Sequence, residues 1–320
     1  MKKISKNISL KLTNANVLFT ILIVWLHVSS NYDLPLWVGN LAIVCVPCFF
    51  AISSFLYFKS FDFENPWISY REKLRTRFSS LLIPFFLYTF IGFLINIVFH
   101  VLHPVSSNPL YSFLENPLWY IIESKANGPL WYLLSLFEFV LFAPILGWII
   151  KRSKLSILLL PILFYICKDF RYIYFLYWMP NIFLGAYLCI YYDWFSRMKT
   201  SYLTLLGGVI IMVFLAFGIM GKLDTYTTRM LAPIGFVLVY QSISILPSKL
   251  VSFLAPYSLL IYCLHLPMSR VAIRVPMICQ IDSPLIGLLI STIVTILLIV
   301  IIGKFLRRCP KLWNIATGGR

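Results

Sequence analysis

Charge is scarce in this chain. Only 12% of its 320 residues are charged, about half the share found in an ordinary soluble domain. Hydrophobic residues make up 60% and the mean hydropathy is +0.87, which excludes a soluble enzyme or a free binding module. Other devices are missing too. No glycine-rich phosphate cradle occurs, so a nucleotide-binding loop of the usual kind is not encoded. The seven cysteines (Cys45, Cys48, Cys167, Cys189, Cys263, Cys279, Cys309) are odd in number and mostly lie inside apolar runs. They read as small packing residues, which argues against a disulfide framework or a zinc site, and no other metal site is expected. No internal repeat, heptad pattern or pair of corresponding Gly/Pro-broken spans stands out. Nucleic acid is not expected as a partner, because no soluble surface is left to present a groove-reading element.

What fills the chain instead is apolar sequence. A helix crossing a bilayer needs about 20 residues, and ten candidate spans follow: 14–30, 36–58, 80–100, 129–149, 155–167, 173–192, 202–220, 230–246, 251–269 and 284–303. The fold expected is all-α, a single polytopic transmembrane bundle of about ten spans over residues 1–320. The basic start MKKISKNISLKLTNAN precedes an apolar run without a small-residue cleavage site, so an uncleaved first span is expected.

Basic residues set the orientation. With the N-terminus inside, 20 of the 27 Lys and Arg fall on the cytoplasmic side, and both termini are cytoplasmic. The excess suffices for topology and for attraction to anionic membrane lipid, and it would also draw in a polyanionic substrate.

Few ionisable groups remain at membrane depth, where their cost makes them candidates for function. The first span ends LFTILIVWLHVSS, which puts His27 within about a turn of the outer interface. The ninth, SFLAPYSLLIYCLHLPMSR, lifts His265 to nearly the same depth. One such histidine is ordinarily a satisfied interfacial residue, whereas two at one level favour a shared outward-facing cavity. A neutral imidazole there can take the proton of a hydroxyl as it attacks an acyl group. Glu138, about midway along GPLWYLLSLFEFVLF, is the only mid-membrane carboxylate, and reads equally as a structural acceptor or a functional group. Ser53 and Ser54 lie in the inner half of the second span. Arg71, Arg75 and Arg77 precede the third, and guanidinium forks suit phosphates.

Taken in order, these stretches resemble the acyltransferase 3 family of bacterial membrane O-acyltransferases, which acetylate cell-surface polysaccharides. ANVLFTILIVWLH is similar to the family's first span ending in histidine, and VPCFFAISSFLYF to its FF-x-x-S-G-F-L. RTRFSSLLIPFFLY is similar to its R-x-x-x-L-L-x-P, GPLWYLLSLF to its H-L-W-F-L, and YSLLIYCLHLP to its S-x-x-I-Y-x-x-H-x-P. The stretch NIFLGAYL completes the set. Asn16 stands where the family usually has Arg or Lys, and Ser53-Ser54 where it has Ser-Gly.

The resemblance implies His27 as the catalytic base. It carries over Arg77 as the basic motif residue before the third span and Tyr262 and His265 as the late-span pair. Beside them, Arg75 and Ser53 are expected with Arg77 at the donor, and Glu138 and Trp131 with Tyr262 and His265 at the acceptor. The expected reaction carries an acetyl group from acetyl-CoA to a hydroxyl of a cell-surface or lipid-linked glycan, in the bacterial inner membrane and without a permanently bound cofactor. The alternative is a secondary transporter or flippase of lipid-linked sugars. A glycan polymerase would need larger basic outer loops than the nearly neutral ones here.

Overall fold

A computed structural model describes residues 6–102, 108–197, 200–220, 233–239 and 246–319. Within them the secondary structure is helical and no strand occurs. A lipid-embedded backbone has to satisfy its polar groups internally, and helices do this without partners. The principal helices are α1 (Lys6–Ser29), α2 (Cys45–Lys59), α3 (Pro66–Arg77), α4 (Ile83–Leu102), α5 (Trp131–Arg152), α6 (Leu159–Cys167), α7 (Met179–Ile190), α8 (Thr200–Ile219), α9 (Ser258–Ala272), α10 (Pro284–Leu306) and α11 (Pro310–Thr317).

Seven helical stretches among the described residues are long and apolar enough to cross a membrane: Ser9–Ser29, Trp37–Lys59, Pro66–Val101, Gly128–Arg152, Thr200–Ile219, Ser248–Ile278 and Pro284–Leu306. The expected spans at 155–167 and 173–192 are instead the short apolar helices Lys154–Cys167 and Met179–Ile190. Local sequence shortens both. Ser153 accepts a hydrogen bond from the Leu155 amide and opens a 3-10 turn at Lys154–Leu158, and Pro180 sits in the first turn of α7. The expected span at 230–246 lies outside the described residues except for helical residues 233–239 and for residue 246.

Helix packing in lipid depends on close approach rather than on a hydrophobic driving force between helices. Gly185 of α7 illustrates this, because a Cβ there would run into the Ala51 carbonyl of α2. α1 lies against α2, α9 and α10, so the helix carrying His27 is held from several sides.

Two prolines shape the backbone around the site. Pro84 has no amide hydrogen to give the Ser80 carbonyl, and the chain passes from α3 to α4 through a π-turn, Phe78–Leu82. The basic stretch before the third expected span is thereby continuous with it, as Pro66–Val101. Pro267, inside α9, likewise leaves the Cys263 carbonyl without its helical donor. The Asn127 side-chain amide supplies one at 2.8 Å, which fastens the turn before α5 to α9.

Candidate active site

α1 carries a polar stripe through an apolar helix. Ser9, Thr13, Asn16, Thr20 and His27 follow one another at steps of three, four or seven, so they share a face. The Thr13 and Thr20 hydroxyls donate to the Ser9 and Asn16 carbonyls one turn back, which satisfies them within the helix.

Two cavities open along this stripe. The first, about 290 Å³, is lined at one end by Ser9, Thr13, Tyr57 and Arg77. The second, about 170 Å³, reaches Thr20, Phe49, Tyr132, Ser258, Tyr262 and Thr317. They share Asn16, Ser53, Leu81, Leu136 and Ala255, so they adjoin along α1 as a passage of two chambers, with these five residues as the neck between them. At the neck Ser53 Oγ and the Tyr132 hydroxyl share a hydrogen bond of 2.9 Å. Near the Arg77 mouth, Lys73 Nζ lies 5.0 Å from the Tyr57 ring centre and donates to Ser60 Oγ at 2.6 Å.

The far end of the passage is aromatic. The Tyr262 ring is 5.4 Å from that of Tyr132, and the Tyr262 hydroxyl donates to the Pro129 carbonyl. One ring further on, the His265 imidazole lies 6.0 Å from Tyr262 and 4.9 Å from His27. The two histidines predicted to converge do meet. His265 is fully buried at 0% exposure, whereas His27 is half-buried. A carbonyl can only accept, so the 2.7 Å contact from His265 Nδ1 to the Tyr262 carbonyl places the proton on Nδ1 of the neutral ring. His265 Nε2 then carries the lone pair, and it has no hydrogen-bond partner among the described residues.

The family model for the acyltransferase domain matches residues 12–304, nearly the whole chain. The chain belongs to the acyltransferase 3 family. No curated protein and no solved structure matches it. It is therefore a membrane acyltransferase, and the match lends nothing to the transporter alternative.

In this acyltransferase the residues singled out from sequence fall into two groups. His27, His265, Tyr262, Ser53 and Arg77 lie in or directly beyond the passage. Arg75, Trp131 and Glu138 line neither cavity. Arg75 is exposed, two residues from Arg77 on a different face of α3. Trp131 packs 4.5 Å from Tyr174 and 6.1 Å from Phe50. Glu138 is half-buried on the side of α5 away from Tyr132, Leu136 and Val140. Sequence reasoning passed over Tyr132, the neighbour of Trp131. The signal was present, because Tyr132, Leu136, Phe139 and Val140 repeat with the period of one helix face.

Proposed function

We propose that this acyltransferase takes an acetyl group from acetyl-CoA on the cytoplasmic side and transfers it to a sugar hydroxyl of a cell-surface or lipid-linked glycan near the outer face. The observation that carries the reading is the passage along α1, which starts at Arg77 and ends one aromatic ring short of the paired imidazoles. Its volumes suit the slim pantetheine arm of CoA. The bulky nucleotide head with its phosphates stays at the mouth, where Arg77 offers a planar fork and Lys73 a second positive charge. Asn16 and Ser53 supply neutral polar groups at the neck, where the family usually places a basic residue and a Ser-Gly pair.

His27 acts as general base in this reading. It takes the proton of the acceptor hydroxyl as the oxygen attacks the thioester carbonyl. The carbon–sulfur bond then breaks, and the CoA sulfur leaves as a thiol with the proton that His27 returns. His265 is fixed by the Tyr262 carbonyl and packs on His27, so it orients the base.

The direction rests on the 20 basic residues assigned to the cytoplasmic side out of 27. Membranes containing the protein should consume acetyl-CoA when the glycan is present and add acetyl mass increments to it. A chain that moves glycan without consuming donor would overturn the reading. For orientation, Leu110→Cys in a chain with Cys279 and Cys309 replaced by serine should react with an impermeant maleimide from outside. Reaction only after permeabilisation would reverse the topology.

A further inference from the structure

The C-terminal helix α11 lies outside the matched residues 12–304, yet it contributes a wall of the passage. Thr317, 1% exposed, lines the second cavity. Several contacts hold α11 in place. The Tyr88 hydroxyl of α4 donates to the Ala316 carbonyl at 2.9 Å. The Arg307 guanidinium sits 4.6 Å from the Tyr257 ring and 4.7 Å from that of Trp313.

The helix ends at Gly318, whose φ of +64° is a left-handed cap that favours glycine. That residue rests on the π-turn. A Cβ added to Gly318 would come within 2.6 Å of Ser80 Cα and 2.7 Å of the Ser80 carbonyl oxygen. Ser80 is the residue whose carbonyl Pro84 leaves without its helical donor, and it stands three positions after Arg77 and one before Leu81 of the neck.

We propose that α11 positions the donor end of the passage, with Gly318 as a positioning residue that seats the π-turn and thereby sets where Arg77 and Leu81 stand. The π-turn exchanges the i→i−4 bonds of the α-helix for wider i→i−5 ones, a rarer arrangement that packing against it can hold in place. Only glycine allows both the left-handed cap and the contact with Ser80. The effect on donor binding rests on the acetyl-CoA reading above, while the packing claim stands apart from it.

A matched pair of substitutions separates contact from backbone strain. Gly319 also has a positive φ, +74°, but a Cβ there would meet nothing within 4 Å. Gly318→Ala and Gly319→Ala therefore carry similar backbone strain, and only the first presses on Ser80. The full-length protein would be followed by hydrogen exchange of the amides at 76–82 and by steady-state kinetics with acetyl-CoA. Gly318→Ala should speed exchange at 78–82 and raise the donor KM on the order of tenfold, with kcat within about twofold. Gly319→Ala should leave both near wild type. Tyr88→Phe, which removes only the bond to Ala316, should shift both in the direction of Gly318→Ala by a smaller amount.

Equal behaviour of the two glycine variants would overturn the proposal. If Gly318→Ala fails to accumulate, Tyr88→Phe decides: faster exchange with raised KM supports the proposal, and wild-type values overturn it. If the wild type consumes no acetyl-CoA, the donor reading fails, and the exchange comparison alone still settles whether α11 seats the π-turn.

Discussion

Two hollows flank the first helix, and they differ in chemistry far more than in size. The passage on the face of Ser9, Thr13, Asn16 and Thr20 begins with a cavity of about 290 Å³ that is polar and has Arg77 at its mouth. A groove of about 230 Å³ on the adjoining face is lined mainly by apolar side chains, among them Leu12, Ala15, Phe19, Ile52 and Phe55, with Lys11 and Ser196 among its few polar ones. Leu12 and Ile52 belong to both and form the partition. One helix thus turns a hydroxyl and amide face toward one space and an aliphatic face toward the other. Volume does not distinguish them. The passage ends at Tyr262, whose ring lies 6.0 Å from that of His265, and Tyr262 does not line the groove, so transfer should respond to changes in the first and ignore changes in the second.

The largest break in that contrast should come from blocking the neck. Ser53→Leu puts an aliphatic branch into the shared wall and removes the bond to Tyr132. Transfer should fall about 100-fold or more per folded molecule, since misplacing a reacting group by about 1 Å is enough for a loss of that order. Ser53→Ala loses the bond but leaves the neck open, and should cost only a few-fold. Rates of acetyl incorporation for the pair read out the difference.

At the mouth, losing a hydrogen bond to a charged group costs about 1.5–3 kcal/mol, so Arg77→Ala should raise the donor KM roughly 10- to 150-fold. Arg77→Lys keeps the charge without the fork and should fall between that variant and wild type. A donor KM unchanged in Arg77→Ala would make this arginine a topology signal only. The smallest effect belongs to the groove. Leu188→Phe adds bulk there, and kcat/KM should stay within about twofold of wild type. A loss as large as that of Ser53→Leu would erase the distinction between the two spaces.

How far the sequence disclosed this arrangement depends on the residue. The meeting of His27 with His265 was legible, because two spans expected from the basic residues to run in the same direction lift them to one level, and their rings lie 4.9 Å apart. The polar stripe of α1 was equally open to reading, at steps of three, four and seven. The π-turn was written in Pro84, but a proline near a span start is also read as an ordinary helix beginning, and only the continuous helix Pro66–Val101 separates the two.

Tyr132 was hidden behind Trp131, since a short motif weights the tryptophan while the helix period decides which of two neighbours faces inward. The short helices at Lys154–Cys167 and Met179–Ile190 show the limit of hydropathy, which measures apolar content and not the length over which the chain stays helical. The groove and the seat of Gly318 on Ser80 join residues far apart in sequence, and no local pattern records such contacts.

The central claim is that His27 does chemistry at the end of the passage. Acetyl incorporation per folded molecule, measured for His27→Ala and His27→Gln side by side, tests it most directly. General-base assistance typically contributes about 10²–10⁴ in rate. Both variants should therefore lose transfer by about that factor while folding in normal amounts, because glutamine offers hydrogen bonds without basicity. A His27→Gln protein close to wild type, with His27→Ala lowered mainly in folded amount, would contradict the account and make the histidine a structural residue.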